Sequence, residues 1–284
     1  MARGKTQAPP AQRIVSLTVI SGSEVSFTVS LDGFAPGVAV TSSTASPATQ
    51  ELLRRPLLQV APMIDVTNRH FRMLIRCISD LPVLWTEMTW DRAILYNTPD
   101  QPEFAVKKTE LDRSLESIIG FSEEEHPLVC QLGGCDPDML ARSARLAEQR
   151  GYDEINLNCG CPSDRVAGGA NGCAGGGTFG AALMHTPDEV RACVSAMSRA
   201  ACGVPVTVKC RLGTDKLNGY ENLKRFVGTV ATGGVQHFII HSRECVLGGL
   251  TPKQNRSLAP GALPLRMPPA SRHSYTCLLT LARH

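Results

Sequence analysis

The sequence predicts an α/β chain of the (β/α)8 TIM-barrel type, incomplete, with about six βα units. Three observations predict it. From Arg54-Arg55-Pro56 onward, short apolar runs alternate with longer amphipathic segments, the pattern of successive strands and helices. The helical segments carry start and stop signals. Finally, Gln131, Asn158, Lys209 and His241 each fall at or near the C-terminal end of a different strand candidate, and a barrel gathers such ends at one rim. A doubly wound sheet would instead concentrate chemistry at one switch point, usually after its first strand. Here that turn reads Pro62-Met63-Ile64-Asp65 and carries no phosphate-binding glycines.

Taken in order, residues 1–55 are rich in Ser, Thr, Val, Ala and Pro, with acidic residues only at Glu24, Asp32 and Glu51. That is the composition of an organelle transit peptide, and a disordered N-terminus reads equally well. The barrel segment is expected over 56–259, with strand candidates at 57–63, 83–88, 127–133, 154–159, 206–212 and 238–242. Asp136-Pro137 supplies an N-cap and a first-turn proline for a helix that buries Met139, Leu140, Ala144 and Leu146-Ala147 and stops at Gly151. Thr186-Pro187-Asp188-Glu189 reads as a capping box leading into Val190, Cys193, Val194 and Met197 at helical spacing. The connection between Met88 and Glu123 is longer than a βα loop requires; its Lys107, Lys108 and Arg113 are either solvated surface or phosphate contacts. Beyond Ala259 the chain turns proline-rich, so 260–284 is expected to be an irregular tail.

Composition bounds the function. At 284 residues one principal core is the economical reading, and a formal charge of +3 with pI near 8.3 does not by itself announce a nucleic-acid partner. Eleven cysteines, dispersed and odd in number, fit a reducing compartment better than a disulfide framework. Cys159-Gly160-Cys161 has no second pair at zinc spacing, so no metal site is expected. No run approaches the ~18 apolar residues of a membrane span, so no membrane association is expected.

The strand-end residues belong to longer blocks. These are Ala61-Pro62-Met63-Ile64-Asp65-Val66-Thr67-Asn68-Arg69-His70, Thr86-Glu87-Met88, Glu123-Glu124-Glu125-His126-Pro127, Gln131-Leu132-Gly133-Gly134, Gly151 to Asn158, Cys161-Pro162-Ser163-Asp164-Arg165-Val166, Val206-Thr207-Val208-Lys209 and Phe238-Ile239-Ile240-His241-Ser242-Arg243. In that order and near that spacing, the set resembles the tRNA-dihydrouridine synthase family, in its DusA branch. The resemblance implies a barrel with FMN at its mouth, NADPH as reductant, and hydride transfer to C6 of a uridine in the D-loop of tRNA. The compartment implied is the cytoplasm or an organelle.

By the same resemblance, Pro62 and Met63 lie against the flavin ring, Gln131 meets its mixed donor–acceptor edge, Lys209 stabilises negative charge at N1 and O2, and His241 completes the flavin site. Asn158 faces the substrate uracil, where an amide can read the imide edge by two hydrogen bonds, and Arg211 falls on the substrate side. Read without the family, Asn158 could instead cap the following turn. The reaction also needs an acid for C5, which the family draws from a cysteine on a glycine-rich loop. The expected acid is Cys173, because Phe179-Gly180-Ala181-Ala182-Leu183-Met184 has alanine at the place many bacterial relatives give to that cysteine.

The sequence departs from the family after Arg256. The Asn-Gly-Gly and Gly-Arg segments of two further βα units, and the C-terminal helical domain, have no counterpart here. Two alternatives therefore stand beside the synthase: an inactive relative without flavin, and another FMN barrel acting on a small molecule.

Overall fold

The computed structural model describes residues 58–98, 115–163, 179–215, 217, 219–235 and 237–258, together with short strands at 14–15, 19–21, 24–31 and 274–282. In chain order the elements are β1 (Ile14–Val15), β2 (Val19–Ser21) and β3 (Glu24–Leu31), then α1 (Arg69–Ile78), β4 (Leu84–Trp85), β5 (Thr89–Trp90), α2 (Asp91–Tyr96) and α3 (Leu115–Ile119). There follow β6 (Leu128–Gly133), α4 (Pro137–Arg150), β7 (Glu154–Cys159), α5 (Pro187–Ala200), β8 (Val206–Arg211), α6 (Tyr220–Ala231), β9 (His237–His241), α7 (Pro252–Ser257) and β10 (Ser274–Ala282).

The strands from β4 to β9 run parallel, neighbour beside neighbour in sequence order, and form the curled half-barrel of an incomplete TIM barrel. Residues 58–60 add the first barrel strand through a parallel bridge between Gln59 and Val83, with Val60 N–H donating to Val83 at 2.9 Å. Every residue of β6 and β7 is buried, as expected when helices cover one face and the barrel interior the other. Leu128, Leu132, Ile155, Leu157, Val208 and Phe238 are all sealed from solvent in a single core cluster.

The outer layer follows the helical signals. α4 buries Leu140, Ser143, Ala144 and Ala147, a stripe at helical spacing. Its Asp136 cap accepts from the N–H groups of Asp138 and Met139, and Gly151 closes it in the left-handed conformation at φ 96°. α4 packs on α5, and α5 on α6. The capping box expected at Thr186 does not form: no side-chain cap bond is made there. Thr186 N–H already donates to Leu183 to close the preceding 3-10 turn (Gly180–His185), and its φ of −123° and ψ of 65° lie outside the extended region that a capping hydroxyl needs. Capping boxes form instead at Ser122 with Glu125 and at Thr251 with Gln254.

The segment Glu123 to Pro127 is a clamp. Glu125, fully buried, accepts from Ser122 N–H at 2.8 Å and from Arg72 Nε, while His126 Nδ1 lies 2.6 Å from Asp153 Oδ2. Asp153 draws the His126 pKa upward, and the same carboxylate oxygen accepts from Leu128 N–H at 2.7 Å, so α1, β6 and the entry to β7 share one polar joint.

The sheet carries further strands near both chain ends. β10 pairs parallel with β9, Thr276 opposite Ile239, so the sheet continues beyond β9. β3 pairs antiparallel with β10 and with β1 and β2, inside the segment expected to be disordered or a transit peptide. The period-two alternation of Val25, Phe27, Val29 and Leu31 with Ser26, Thr28 and Ser30 is a strand signal that composition alone passes over. Among the described residues eight cysteines are free, and Cys135 is disulfide-bonded.

Candidate active site

Side chains alternate across a strand, so register decides which of them share a face. Gln131 on β6 stands opposite Asn156 on β7; Asn158, two residues on, stands opposite Lys209 on β8; Arg211, two further, stands opposite His241 on β9. Gln131, Asn156, Asn158, Lys209, Arg211 and His241 therefore share one face, near the C-terminal ends of four adjacent parallel strands. Pro62 and Met63, both half-buried, follow the first barrel strand, and the Asp65 N–H that ends their turn donates to Glu87 Oε1 at 2.6 Å, just beyond β4. Cys173 lies outside the described residues.

The polar groups on this face form a chain. Asn158 Nδ2 donates to Gln131 Oε1 at 2.9 Å, Gln131 Nε2 to Asn156 Oδ1 at 2.9 Å, and Asn156 Nδ2 to Thr207 Oγ1 at 2.8 Å. Thr207 Oγ1 donates in turn to Glu154 Oε1 at 2.5 Å. Burial raises the Glu154 pKa to about 7, against the lowering effect of the Thr207 bond and with a further push from Asp153.

Asn158 caps the turn that follows β7. Its Oδ1 accepts from the N–H groups of Gly160 and Cys161, each at 2.9 Å, so both lone pairs are used in capping the turn after β7. One N–H remains. The residue can donate to a single ligand oxygen but cannot read an imide edge by two bonds.

Arg211 bonds the backbone on both sides of the mouth. It is only 3% exposed; Nε donates to the Gly160 carbonyl at 2.9 Å and Nη1 to the Glu244 carbonyl at 3.1 Å. It is a strut joining the loops that follow β7 and β9.

The face is electropositive. Burial lowers the Lys209 pKa to about 8, with Arg211 lowering it further. Burial, then Arg211, Lys209, Arg243 and Arg256, hold the His241 pKa well below its usual value, so the ring is neutral. No carboxylate is among the charges acting on Lys209, Arg211 or His241 among the described residues. Cationic charge gathered on a buried face favours an anion there. The donor set suits a group that is rich in acceptors and negatively charged.

Two glycines permit the packing at the end of β6. A Cβ at Gly133 would meet Phe179 at 2.7 Å and the Met88 sulfur at 2.9 Å, and one at Gly134 would meet Asp91 Oδ2 at 2.2 Å. Phe179 is buried edge-on against Trp90, and Ala182 is half-buried in the 3-10 turn behind it.

Sequence reasoning missed Glu154, Asn156 and Thr207. The signal was present, since Glu154, Asn156 and Asn158 alternate with apolar residues in a fully buried strand. It missed Asn255 too, which is fully buried and ties Val246 and Leu250 into the loop after β9. Among the described residues no group of three or more His, Cys, Asp or Glu could hold a metal ion, and no helix is long and apolar enough to cross a membrane.

Comparison with known proteins adds a family. Residues 59–262 match the family model described as dihydrouridine synthase (Dus). The chain is 46% identical over 203 residues to a tRNA-dihydrouridine(20/20a) synthase of Synechocystis sp., covering 72% of this chain and 53% of that protein. It is 45% identical over 204 residues to the Vibrio cholerae protein of the same name, with 72% and 54% covered. For the Escherichia coli K12 protein of that name the identity is 42% over 222 residues, with 78% and 57% covered. The chain thus spans about half the length of the curated relatives it matches.

Proposed function

We propose, from the premise that this chain belongs to the dihydrouridine synthase family, that it carries the flavin- and uracil-facing part of a tRNA-dihydrouridine synthase, which uses FMN and NADPH to reduce the C5=C6 bond of a uridine in the D-loop of tRNA. The observation that carries this reading is the shared face of Gln131, Asn158, Lys209 and His241, made electropositive by Lys209 and Arg211.

Each residue has a physical task. The Lys209 ammonium offsets negative charge on the cofactor at the mouth, and a low-dielectric setting strengthens that interaction. Neutral His241 presents ring nitrogens without adding a further cation to the Arg211, Arg243 and Arg256 cluster. Gln131 keeps one N–H and one lone pair beyond the bonds it already makes, matching the mixed edge of a flavin. Pro62 and Met63 give the ring an apolar support from the first strand. Asn158 donates its remaining N–H to one carbonyl oxygen of the base, which holds the pyrimidine without distinguishing its two ends as strongly as a paired contact would.

When bound, FMN reduced by NADPH supplies the hydride. Protonation at C5 falls to Cys173, whose thiol at a typical pKa of ~8.5 is protonated near neutrality yet able to release. The partner is tRNA, and the uridine reaches the mouth only when unstacked.

The test is direct. Purified full chain, reconstituted with FMN, is expected to be yellow and, with NADPH, to form dihydrouridine in unmodified tRNA. A colourless, folded preparation that cannot take up FMN would sink the enzymatic reading. Reduction of free small molecules without any response to tRNA would favour another FMN barrel.

A further inference from the structure

Five side chains on the inward face, Asn158, Gln131, Asn156, Thr207 and Glu154, form an unbroken hydrogen-bonded run from the mouth toward the start of β7. They are 8%, 1%, 0%, 1% and 7% exposed, so water does not compete along most of the run. The sense of every link follows from the one before it. The backbone N–H groups of Gly160 and Cys161 can only donate, and both meet Asn158 Oδ1. The Asn158 amino group must then face Gln131, which accepts through Oε1 and so donates through Nε2 to Asn156. Asn156 donates to Thr207, and the hydroxyl hydrogen is left for the Glu154 carboxylate. Reversing any one link sets donor against donor or acceptor against acceptor.

Building on the proposed function, we infer that Glu154 is a positioning residue: as terminal acceptor, through Thr207 and Asn156, it anchors from the far end the Gln131 amide that Asn158 orients at the mouth, so that a flavin there meets one sense only. Glu154 touches neither ligand. Its carboxylate lies at the start of β7, four residues before Asn158, and adds a second mismatch, at the Thr207 hydroxyl, to the donor–donor clash with Asn158 that already opposes a joint flip of the Asn156 and Gln131 amides. A free amide at Gln131 presents either edge to a ligand; an anchored one presents a single pattern and loses less freedom on binding.

The test uses the full chain and two readouts, one of which needs no flavin. Thr207→Val removes the relay hydroxyl at nearly constant shape, and Thr207→Ser retains it. In 15N-labelled protein without flavin, hydrogen exchange of the Gln131 and Asn156 side-chain amides is expected to rise about tenfold in Thr207→Val, the loss of one buried hydrogen bond, and to stay near the original value in Thr207→Ser. The FMN dissociation constant, read by quenching of flavin fluorescence, is expected to rise about tenfold in the first variant and to be preserved in the second. Should Thr207→Val not fold, Glu154→Gln is read the same way, with a smaller rise in both signals because its amide oxygen can still accept. Unchanged side-chain amide exchange in a folded Thr207→Val or Glu154→Gln protein overturns the positioning role. If the amides respond while no variant, nor the original chain, takes up FMN, it is the proposed function that fails and the anchored chain that stands.

Discussion

Arg72 and Glu125, 53 residues apart in sequence, form an ion pair with both side chains almost wholly removed from solvent. Arg72 Nη1 also donates to the Thr67 carbonyl at 2.9 Å, and the second Glu125 oxygen holds Ser122 N–H. The pair therefore fastens the turn that follows Pro62 and Met63 to the segment that feeds β6, and joins the first strand's contribution to the rest of the mouth.

Breaking that pair from one side strands a buried charge. Arg72→Met is expected to lower unfolding stability by about 3–5 kcal/mol, read from the midpoint in urea. Glu125→Gln, which keeps an oxygen for Ser122, should cost less. A loss below about 1 kcal/mol for Arg72→Met, the range of a surface pair, would mean that the turn is held by something else.

Lys209 separates binding from folding. Its pKa is lowered to about 8, chiefly by burial, so the fold is strained by the charged form and its stability rises as pH climbs from about 8 toward the unfolded value of 10.5. Lys209→Met removes that burden. The variant is expected to melt no lower than the parent at pH 7, to lose the rise above pH 8, and to bind FMN roughly ten- to a hundredfold more weakly, the loss of one charge-assisted contact. Equal FMN affinity in the two proteins would remove Lys209 from the cofactor site.

Asp91 sets a pH dependence of the opposite sense. Its Oδ2 is buried without a hydrogen-bond partner, and burial raises its pKa to about 6 from 3.8. The folded state holds this proton more tightly than the unfolded chain, so its stability contribution is greatest below pH 3.8 and is lost as pH rises through about 6. Asp91→Asn is expected to raise the melting temperature at pH 8 and to flatten the fall between pH 4 and 6. A variant as pH-sensitive as the parent over that window would refute the assignment.

Cys173 is tested by splitting the reaction into halves. Cys173→Ala is expected to leave reduction of the bound flavin by NADPH unchanged, followed by bleaching at 450 nm, and to abolish dihydrouridine formation in tRNA. An unchanged yield of dihydrouridine would exclude this thiol as the acid.

The βα alternation, the helices α4 and α5 and the strands β6 to β9 were legible because each depends on local period and local punctuation. The strand expected at 154–159 coincides with β7, and those at 127–133, 206–212 and 238–242 differ from β6, β8 and β9 by a residue at one or both ends. The first strand was less legible: among the described residues of 57–63 only a bridge at Gln59 pairs, because its partner Val83 lies just before a β4 of two residues. Thr186 shows the limit of motif reading. Its letters spell a cap, but a neighbouring turn had already taken its backbone.

What the sequence alone determined about this protein is its repeating unit, its family and the strand ends where polar residues collect, since periodicity and motif order survive without coordinates. What only the tertiary structure decided is how those residues spend their hydrogen bonds. Asn158 turns its oxygen to two backbone N–H groups, Arg211 spends donors on loop carbonyls, and Glu154 ends a chain that starts at the mouth. These outcomes depend on inter-strand register and on competition for buried donors and acceptors, and both are properties of packed neighbours rather than of any one segment.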